Sequence, residues 1–235
     1  MRLRASGITK HFGHRPIVKN VDIAVDAGEV VTIFGPNGAG KTTLLKMLAT
    51  LLKPASGRLE IEGRDALAEP LAVRGALGVV VHEPLAYPEF SPYENLRFFG
   101  RMYGVARLEE RCTTLLAEVG LSRFVHEPLQ HFSRGMTQRF MIARALLHHP
   151  SVLLFDEPFS GLDAAAKSFV LQRIAQERAA GKGIVITTHN TELGYLAGTR
   201  FLFMLNGELE AVANKDDIAM DALARLYEER VVNLI

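Results

Sequence analysis

The sequence predicts an α/β fold built on a mostly parallel β-sheet. Short apolar runs with strand character alternate with stretches of helical periodicity along most of the chain. Three runs, residues 30–34, 152–155 and 184–187, are almost continuously apolar, which is typical of strands buried on both faces. Such strands indicate a parallel sheet that is covered by helices.

Two alternating runs near the N-terminus predict a separate antiparallel edge. Residues 3–7 and 21–25 alternate apolar with polar or small side chains, as in a sheet that has one solvated face. Near the other end, Asn206-Gly207 lies between the strand-like runs 201–205 and 208–212 and predicts a β-hairpin. The remaining strand-like runs are residues 57–61 and 77–81.

Helical periodicity interrupts the alternation in the middle of the chain. Residues 95–103 and 108–119 carry apolar side chains at helical spacing without an intervening strand. We therefore expect one domain over residues 1–235, with a helical lobe inserted into the α/β core over about residues 84–148. A last amphipathic helix over residues 216–229 has a short apolar stripe, which favours packing on its own domain over binding a partner.

Composition limits the possible functions. With 235 residues, of which 48% are apolar, the chain can bury a substantial core. The 27 Lys and Arg residues nearly balance 26 Asp and Glu residues, so the net charge of +1 argues against a nucleic-acid partner. A single cysteine, Cys112, suits a reducing compartment, and the N-terminus lacks the apolar region of a secretory signal. No apolar run approaches the roughly 18 residues of a membrane span, so we expect a cytoplasmic protein.

The most specific motif is the glycine-rich segment 35–43, which follows the predicted strand 30–34. It has the form G-x-x-x-x-G-K-[ST] and leads into a helix predicted over residues 41–52, as in the core of P-loop NTPases. Its three glycines are expected to take positive φ angles, so that backbone N–H groups approach phosphates. Lys41 would reach the β- and γ-phosphates, and the Thr42 hydroxyl would bind Mg²⁺. The predicted nucleotide-binding residues of this segment are Gly35, Pro36, Asn37, Gly38, Ala39, Gly40, Lys41, Thr42 and Thr43.

Polar side chains follow two other predicted strands of the sheet. Asp156 and Glu157 come directly after residues 152–155, and His189 follows residues 184–187. Acids at a strand end are often turn formers, and a lone histidine is often structural. The phosphate loop favours a functional interpretation, because ligands of open α/β sheets bind at the carboxyl ends of strands. Asp156 would then bind Mg²⁺, Glu157 would accept the proton of the attacking water, and neutral His189 would donate a hydrogen bond to the γ-phosphate.

These motifs, together with Phe-Ser-Arg-Gly-Met at residues 132–136 and Ser-Gly-Leu-Asp at residues 160–163, resemble the ATP-binding cassette of ABC transporters. The resemblance covers nearly the whole chain and keeps the order of the motifs. It implies an ATPase that uses ATP and Mg²⁺ and dimerises head to tail, as a homodimer or a heterodimer. Each ATP would lie between the glycine loop of one subunit and residues 132–136, the signature segment, of the other. An integral membrane permease would be a separate partner, holding the ATPase at the inner face of the cell membrane.

The resemblance assigns four further residues. Ser133 and Gly135 resemble the signature residues that lie near the γ-phosphate, and Ser133 is also placed to cap the helix that follows. Asp163 resembles the D-loop aspartate that links the two ATP sites. Phe12, followed by a glycine, resembles the A-loop aromatic that stacks on adenine.

Three positions depart from the family pattern. His82 stands where the family usually has a glutamine that touches Mg²⁺ and the water, so we include it among the catalytic and metal-binding candidates. In the signature segment, Arg134 replaces a glycine and Met136 replaces a glutamine. Arg134 either adds positive charge at the dimer interface or points to solvent, and the sequence leaves both open. These departures resemble the haem exporter subunits of cytochrome c maturation and related ABC-2-type exporters.

Replacing His82 by glutamine tests the first departure. We expect His82→Gln to retain ATP hydrolysis, because glutamine also donates and accepts hydrogen bonds. The measurement is the rate of phosphate release at saturating ATP. A complete loss of activity would show that the imidazole performs a task that glutamine cannot.

The leading hypothesis is the ATPase subunit of a membrane exporter, with haem as one candidate substrate. An importer subunit is the nearest alternative. A soluble ABC ATPase acting on DNA or ribosomes would have a long coiled-coil insertion, a second cassette or a basic face, and none is present. A regulatory protein that binds nucleotide without turnover is disfavoured by Asp156, Glu157 and His189.

Overall fold

Two β-sheets organise the chain in the computed structural model, which describes residues 1–81 and 85–232. The predicted α/β fold is confirmed. The strands in these ranges are β1 (Leu3–Phe12), β2 (Arg15–Val25), β3 (Val30–Phe34), β4 (Ser56–Ile61), β5 (Arg64–Asp65), β6 (Leu77–Val80), β7 (Val152–Asp156), β8 (Gly183–Thr188), β9 (Arg200–Leu205) and β10 (Glu208–Asn214). The helices are α1 (Lys41–Leu48), α2 (Pro70–Arg74), α3 (Pro92–Met102), α4 (Leu108–Glu118), α5 (Arg134–Leu146), α6 (Ala164–Ala179), α7 (Thr191–Ala197) and α8 (Met220–Val232).

The larger sheet has six strands in the order β10-β9-β3-β8-β7-β6. All pairs are parallel except that of β10 with β9, and every residue of β3, β7 and β8 is buried. The continuous apolar runs therefore arise from burial on both faces, as predicted. In the register, Phe34 pairs with Thr188 and Asp156 pairs with Thr187. The carboxyl ends of β3, β8 and β7 therefore lie side by side at one edge of the sheet.

The smaller sheet has the order β2-β1-β4-β5 and is antiparallel throughout. The two N-terminal runs form its first pair, as the alternation predicts. The run at 57–61 joins them as β4, a placement that alternation alone does not specify. A hydrogen bond from the Lys19 N–H to the Gly207 carbonyl (2.8 Å) links this sheet to the hairpin at the edge of the larger one.

Helix α1 ends at Leu48, so the prediction that it extends to residue 52 was wrong. The reason is Thr50, which takes a positive φ of 57°. The Thr50 N–H then bonds to the Met47 carbonyl (3.0 Å) and the Leu51 N–H bonds to the Lys46 carbonyl (2.9 Å), the two bonds of a Schellman motif. A β-branched residue rarely takes this conformation, so the sequence gives no stop signal here.

Helices α3, α4 and α5 lie between β6 and β7 in the chain, where the sequence predicts a helical lobe. Ser91 and Glu94 form a reciprocal capping box at the start of α3. The apolar faces of the three helices meet around Leu96, Leu115 and Phe140, all fully buried. In the described part of the chain, no helix combines the length and the apolarity that crossing a membrane requires.

Helix α8 packs on the larger sheet, the outcome that its short apolar stripe favours. It begins at Met220, four residues later than predicted, after a 3₁₀ turn over Lys215–Asp217. Leu223 of α8 is fully buried in a cluster with Phe34, Phe201 and Phe203. The Tyr227 ring lies edge-on to Phe203, with 5.4 Å between centroids. Because Phe34 directly precedes the glycine loop, α8 supports the strand that carries the loop.

Truncating Leu223 measures this support. We expect Leu223→Ala to lower the free energy of unfolding by about 2–4 kcal/mol, because it leaves a cavity among aromatic side chains. Chemical denaturation gives the value. The control is Met220→Ala on the same helix, where the side chain is exposed and the cost should stay below about 0.5 kcal/mol. Equal effects of the two substitutions would contradict the packing described for α8.

Candidate functional site

The glycine-rich segment forms a tight loop between β3 and α1. Gly38 and Gly40 take positive φ angles of 84° and 105°, as predicted. Gly35 does not take a positive φ, so that part of the prediction was wrong. A Cβ on Gly35 would lie 2.4 Å from the Met204 carbonyl oxygen, so glycine is required there for close backbone approach.

The β9–β10 hairpin packs against the glycine loop. Asn206 and Gly207 both have positive φ angles (49° and 84°) and form the two-residue turn that the sequence predicts, of type I′. The Gly207 N–H donates to the Ala39 carbonyl at 3.1 Å. A Cβ on Gly40 would meet the Ile17 carbonyl oxygen at 2.7 Å, so β2 also closes on the loop.

The Lys41 side chain is only 6% exposed. Its Nζ donates to the Gly35 carbonyl (2.7 Å) and the Pro36 carbonyl (3.2 Å), and it lies 3.5 Å from Glu157 Oε1. A buried ammonium group needs such oxygen neighbours to replace its hydration. The Lys41 ammonium group is thus held within the loop, where phosphate oxygens could replace the carbonyl oxygens as its hydrogen-bond acceptors.

Asp156, at the end of β7, is buried and accepts two hydroxyl hydrogen bonds. Oδ1 receives one from Thr42 (3.1 Å) and one from Thr187 (2.6 Å). Hydroxyl and carboxylate oxygens are the ligands that Mg²⁺ prefers, so Thr42 and Asp156 fit that ion. No group of three or more His, Cys, Asp or Glu side chains suited to a metal occurs within residues 1–81 and 85–232. Sparse protein ligation is usual for Mg²⁺ that also binds phosphates and water.

Glu157 follows Asp156 in an unusual backbone conformation, with φ at 48°. Its N–H donates to the Thr187 carbonyl (2.9 Å), which fixes the turn. Oε2 accepts a hydrogen bond from the Thr188 hydroxyl (3.2 Å), whereas Oε1 is buried and accepts none from the described residues. Non-glycine residues held in this region of φ and ψ often occur at functional sites. The geometry leaves Glu157 with a free acceptor atom beside Lys41.

His189 lies against the same carboxylate, with Nδ1 at 3.0 Å from Glu157 Oε2, and its side chain is 55% exposed. A neutral imidazole carries one proton, so a ring that donates through Nδ1 has none on Nε2. Donation from His189 to a phosphate, which the sequence interpretation assumes, therefore requires ring rotation or a second proton. In the arrangement described here, the His189 ring lies within hydrogen-bonding distance of the Glu157 carboxylate.

The Tyr227 hydroxyl of helix α8 interacts electrostatically with the Glu157 carboxylate. Burial, and then the negative charge of Glu157, raise the pKa of the Tyr227 hydroxyl above its ordinary value. Both effects favour the uncharged form of this hydroxyl.

The signature segment begins α5. The Ser133 hydroxyl accepts a hydrogen bond from the Met136 N–H (3.3 Å), which is the predicted helix cap. The Arg134 guanidinium covers Gly161, since a Cβ built there would lie 2.4 Å from Arg134 Nη1. The Arg134 side chain is exposed, but it packs against the segment 160–163. It therefore does not point freely into solvent.

Segment 160–163 leads into α6. Asp163 caps this helix by accepting a hydrogen bond from the Ala166 N–H (2.8 Å). A Cβ on Gly135 would lie 3.4 Å from the Ala166 Cβ, so the starts of α5 and α6 touch. The signature segment and the predicted D-loop therefore form one surface within the same chain.

A cavity of about 340 Å³ joins Phe12 to the glycine loop. The Phe12 ring is 55% exposed. Ser133, Gly135 and Asp163 do not line this cavity, and His82 lies outside the described residues. Sequence reasoning missed Arg15, whose only signal is the Gly13-His14 turn that brings it opposite Phe12. The cavity is lined by Phe12, Arg15, Ile17, Asn37, Gly38, Gly40, Lys41, Thr42, Thr43 and Glu157.

Residues 18–160, which include the glycine loop and Asp156-Glu157, match the ABC transporter family. The chain belongs to the ABC transporter family. It is the ATP-binding subunit of an ABC transporter, and membership of this family implies ATP hydrolysis. Among its relatives, the linearmycin resistance ATP-binding protein LnrL of Bacillus subtilis (strain 168) is 32% identical over 234 residues, covering 99% of this chain and 74% of LnrL. The Nod factor export ATP-binding protein I of Cupriavidus metallidurans is 38% identical over 192 residues, covering 81% of this chain and 63% of that protein.

Solved ABC structures agree with this assignment. An ATP-binding subunit of an ABC transporter superposes with a TM-score of 0.88 at 32% identity, covering 97% of this chain and 99% of that one. A dimeric ATP-binding cassette in a post-hydrolysis state, bound to ADP and phosphate, superposes with a TM-score of 0.82 at 26% identity, covering 91% and 98%.

Proposed function

We propose that this ABC subunit hydrolyses ATP to power export through a separate membrane-spanning permease. We take residues 1–235 as one ATPase domain whose helical lobe spans about residues 84–148. The observation that carries the proposal is the convergence of Lys41, Asp156 and Glu157 at the sheet edge where the carboxyl ends of β3, β8 and β7 lie. A phosphate-binding cation, a metal-binding carboxylate and a base within one small volume are what phosphoryl transfer to water requires.

The described residues divide the chemistry among them. Lys41 would release the loop carbonyls and bind the β- and γ-phosphates, while Gly38 and Gly40 allow the backbone N–H groups to face the same charge. Thr42 and Asp156 would hold Mg²⁺, which neutralises phosphate charge when bound. Glu157 would take the proton of the attacking water, with His189 and Thr188 fixing the orientation of its carboxylate. Phe12 would stack on the base.

A second subunit would complete each site. Ser133, Gly135 and Asp163 do not line the cavity of their own chain, but they lie together where α5 and α6 begin. A surface of this kind suits contact with nucleotide held by another subunit. A solved cassette that resembles this chain is dimeric and bound to ADP and phosphate, which supports a two-subunit assembly. The partner subunit would be a second copy or a homologous ATPase.

The permease would dock beside Leu85, which is close to His82 in the chain. Leu85 is exposed, as are Leu51 and Tyr103. These three side chains line one groove between the end of α1 and the end of α3. Exposed apolar side chains around a groove are typical of protein interaction sites. Binding there would hold this subunit at the inner face of the membrane.

The direction of transport is proposed from the relatives. The relative from Cupriavidus is named for Nod factor export, and LnrL is named for linearmycin resistance. Haem is the first substrate to test, because the signature segment and His82 resemble those of haem exporters. An importer subunit and a soluble ABC ATPase are the two alternatives.

The experiment is reconstitution with the membrane protein encoded beside this gene. We expect the complex, in inside-out vesicles, to hydrolyse ATP and to move substrate into the vesicle lumen. Haem and apolar antibiotics are compared for their stimulation of hydrolysis, with the Glu157→Gln complex as the inactive control. Movement out of the lumen would indicate an importer. Failure to form a complex with any membrane protein would support the soluble alternative.

A further inference from the structure

A two-residue turn places a cation beside Phe12. Phe12 and Arg15 are directly paired residues at the ends of β1 and β2, so Gly13 and His14 alone form the turn. Gly13 has a φ of 58°, which fits the first central position of a type II′ turn. Directly opposite residues of a hairpin project from the same face, with Cβ atoms about 5 Å apart. The Phe12 ring and the Arg15 guanidinium therefore extend towards the same volume.

That volume is the cavity that ends at the glycine loop. Phe12 and Arg15 line it together with Lys41, Thr42 and Thr43. A nucleotide whose base stacks on Phe12 and whose terminal phosphates reach Lys41 would bring its ribose and α-phosphate into the volume that Arg15 also lines.

Arg15 is free to bind an anion there. Its side chain is exposed, and it makes no side-chain hydrogen bond or ion pair with any residue in the ranges 1–81 and 85–232. Lys10, the neighbouring cation, is instead occupied by the Lys53 carbonyl at 2.7 Å. A guanidinium group is always positively charged and donates charge-assisted hydrogen bonds to phosphate oxygens. Lys41 and Mg²⁺ would neutralise the terminal phosphates, so the phosphate nearest the base lacks a counter-charge.

We propose that Arg15 binds the α-phosphate of the nucleotide whose base stacks on Phe12. This inference rests on the proposed nucleotide site and adds a residue to it. The contact is common to ATP and ADP, so Arg15 contributes to affinity for both and takes no part in cleavage of the γ-phosphate. It would retain the nucleotide after hydrolysis, while the dimer opens.

The test compares Arg15→Gln, Arg15→Lys and the parent by titration with ATP and with ADP. We expect Arg15→Gln to raise the dissociation constants of both nucleotides about fivefold and by the same factor, as for an exposed ion pair. Arg15→Lys should stay within about twofold of the parent, because it keeps the charge. Arg4→Gln, at an exposed position of the same sheet outside this cavity, is the matched control.

Four results would overturn the assignment. Unchanged affinity in Arg15→Gln would exclude the contact, and weaker binding of ATP alone would move it to the γ-phosphate. An equal loss of nucleotide affinity in Arg15→Lys would show that the shape of the guanidinium group, and not its charge, determines binding. If the fivefold ratio between parent and Arg15→Gln vanishes with 2′-deoxy-ATP and 2′-deoxy-ADP, the partner is the ribose hydroxyl. Failure of the parent to bind ATP would instead refute the proposed nucleotide site, which separates the two outcomes.

Discussion

Glu157→Gln is expected to lower the rate of ATP hydrolysis at least about 100-fold and to leave ATP binding nearly unchanged. Glutamine has the shape of glutamate and still accepts the Thr188 hydrogen bond, but it cannot take a proton from water. Phosphate release at saturating ATP and Mg²⁺ gives the rate, and nucleotide titration gives the affinity. Because ATP persists in the variant, we also expect an ATP-dependent dimer on size-exclusion chromatography.

The matched control is Glu192→Gln. Glu192 is an exposed glutamate in the first turn of α7, near His189 in the chain, and its side chain makes no hydrogen bond or ion pair with another described residue. It should keep the parental rate. Equal rates for Glu157→Gln and the parent would refute the catalytic assignment of Glu157, even if ATP binding is normal.

Lys41→Met is expected to raise the dissociation constant for ATP about 100-fold or more. The substitution removes a buried cation from the place where phosphate charge would concentrate, and charged hydrogen bonds of this kind are worth about 1.5–3 kcal/mol each. It also leaves Glu157 Oε1 buried without a nearby positive charge. We therefore expect a second effect, a loss of about 1–3 kcal/mol in the free energy of unfolding of the nucleotide-free protein.

Two measurements check this substitution, nucleotide titration and chemical denaturation without nucleotide. Lys53→Met, at an exposed position beyond α1, is the control and should alter neither quantity appreciably. Parental ATP affinity in Lys41→Met would contradict the phosphate site. A loss of stability with normal affinity would mean that Lys41 serves only to balance Glu157.

Local pattern was sufficient for most of the sheet. The strands β3, β7 and β8 are short continuous apolar runs, and burial on two faces leaves few other structures for them. Asn206-Gly207 predicted its hairpin because two consecutive positive φ angles suit these residues. The end of α1 escaped prediction because Thr50 adopts a conformation that its side chain disfavours.

The site was predictable as a set of residue types but not as a set of contacts. The proximity of His189 to Glu157 depends on the pairing of β7 with β8, which joins segments about 30 residues apart. Arg15 and Arg134 were missed or left open because their positions depend on a turn and on an approach of two helices. No periodicity in the sequence encodes such contacts.

The support behind the glycine loop has a thermodynamic consequence. The Gly207 N–H bond to Ala39 and the close approach of Met204 to Gly35 fix the loop before any nucleotide arrives. Nucleotide binding then needs little ordering of backbone, so its entropic cost is largely met during folding. A change in the hairpin, for example at Gly207, would weaken affinity for ATP and ADP alike while touching neither. Selectivity between ATP and ADP must therefore come from groups that contact the γ-phosphate, because the preformed glycine loop binds the phosphates that ATP and ADP share.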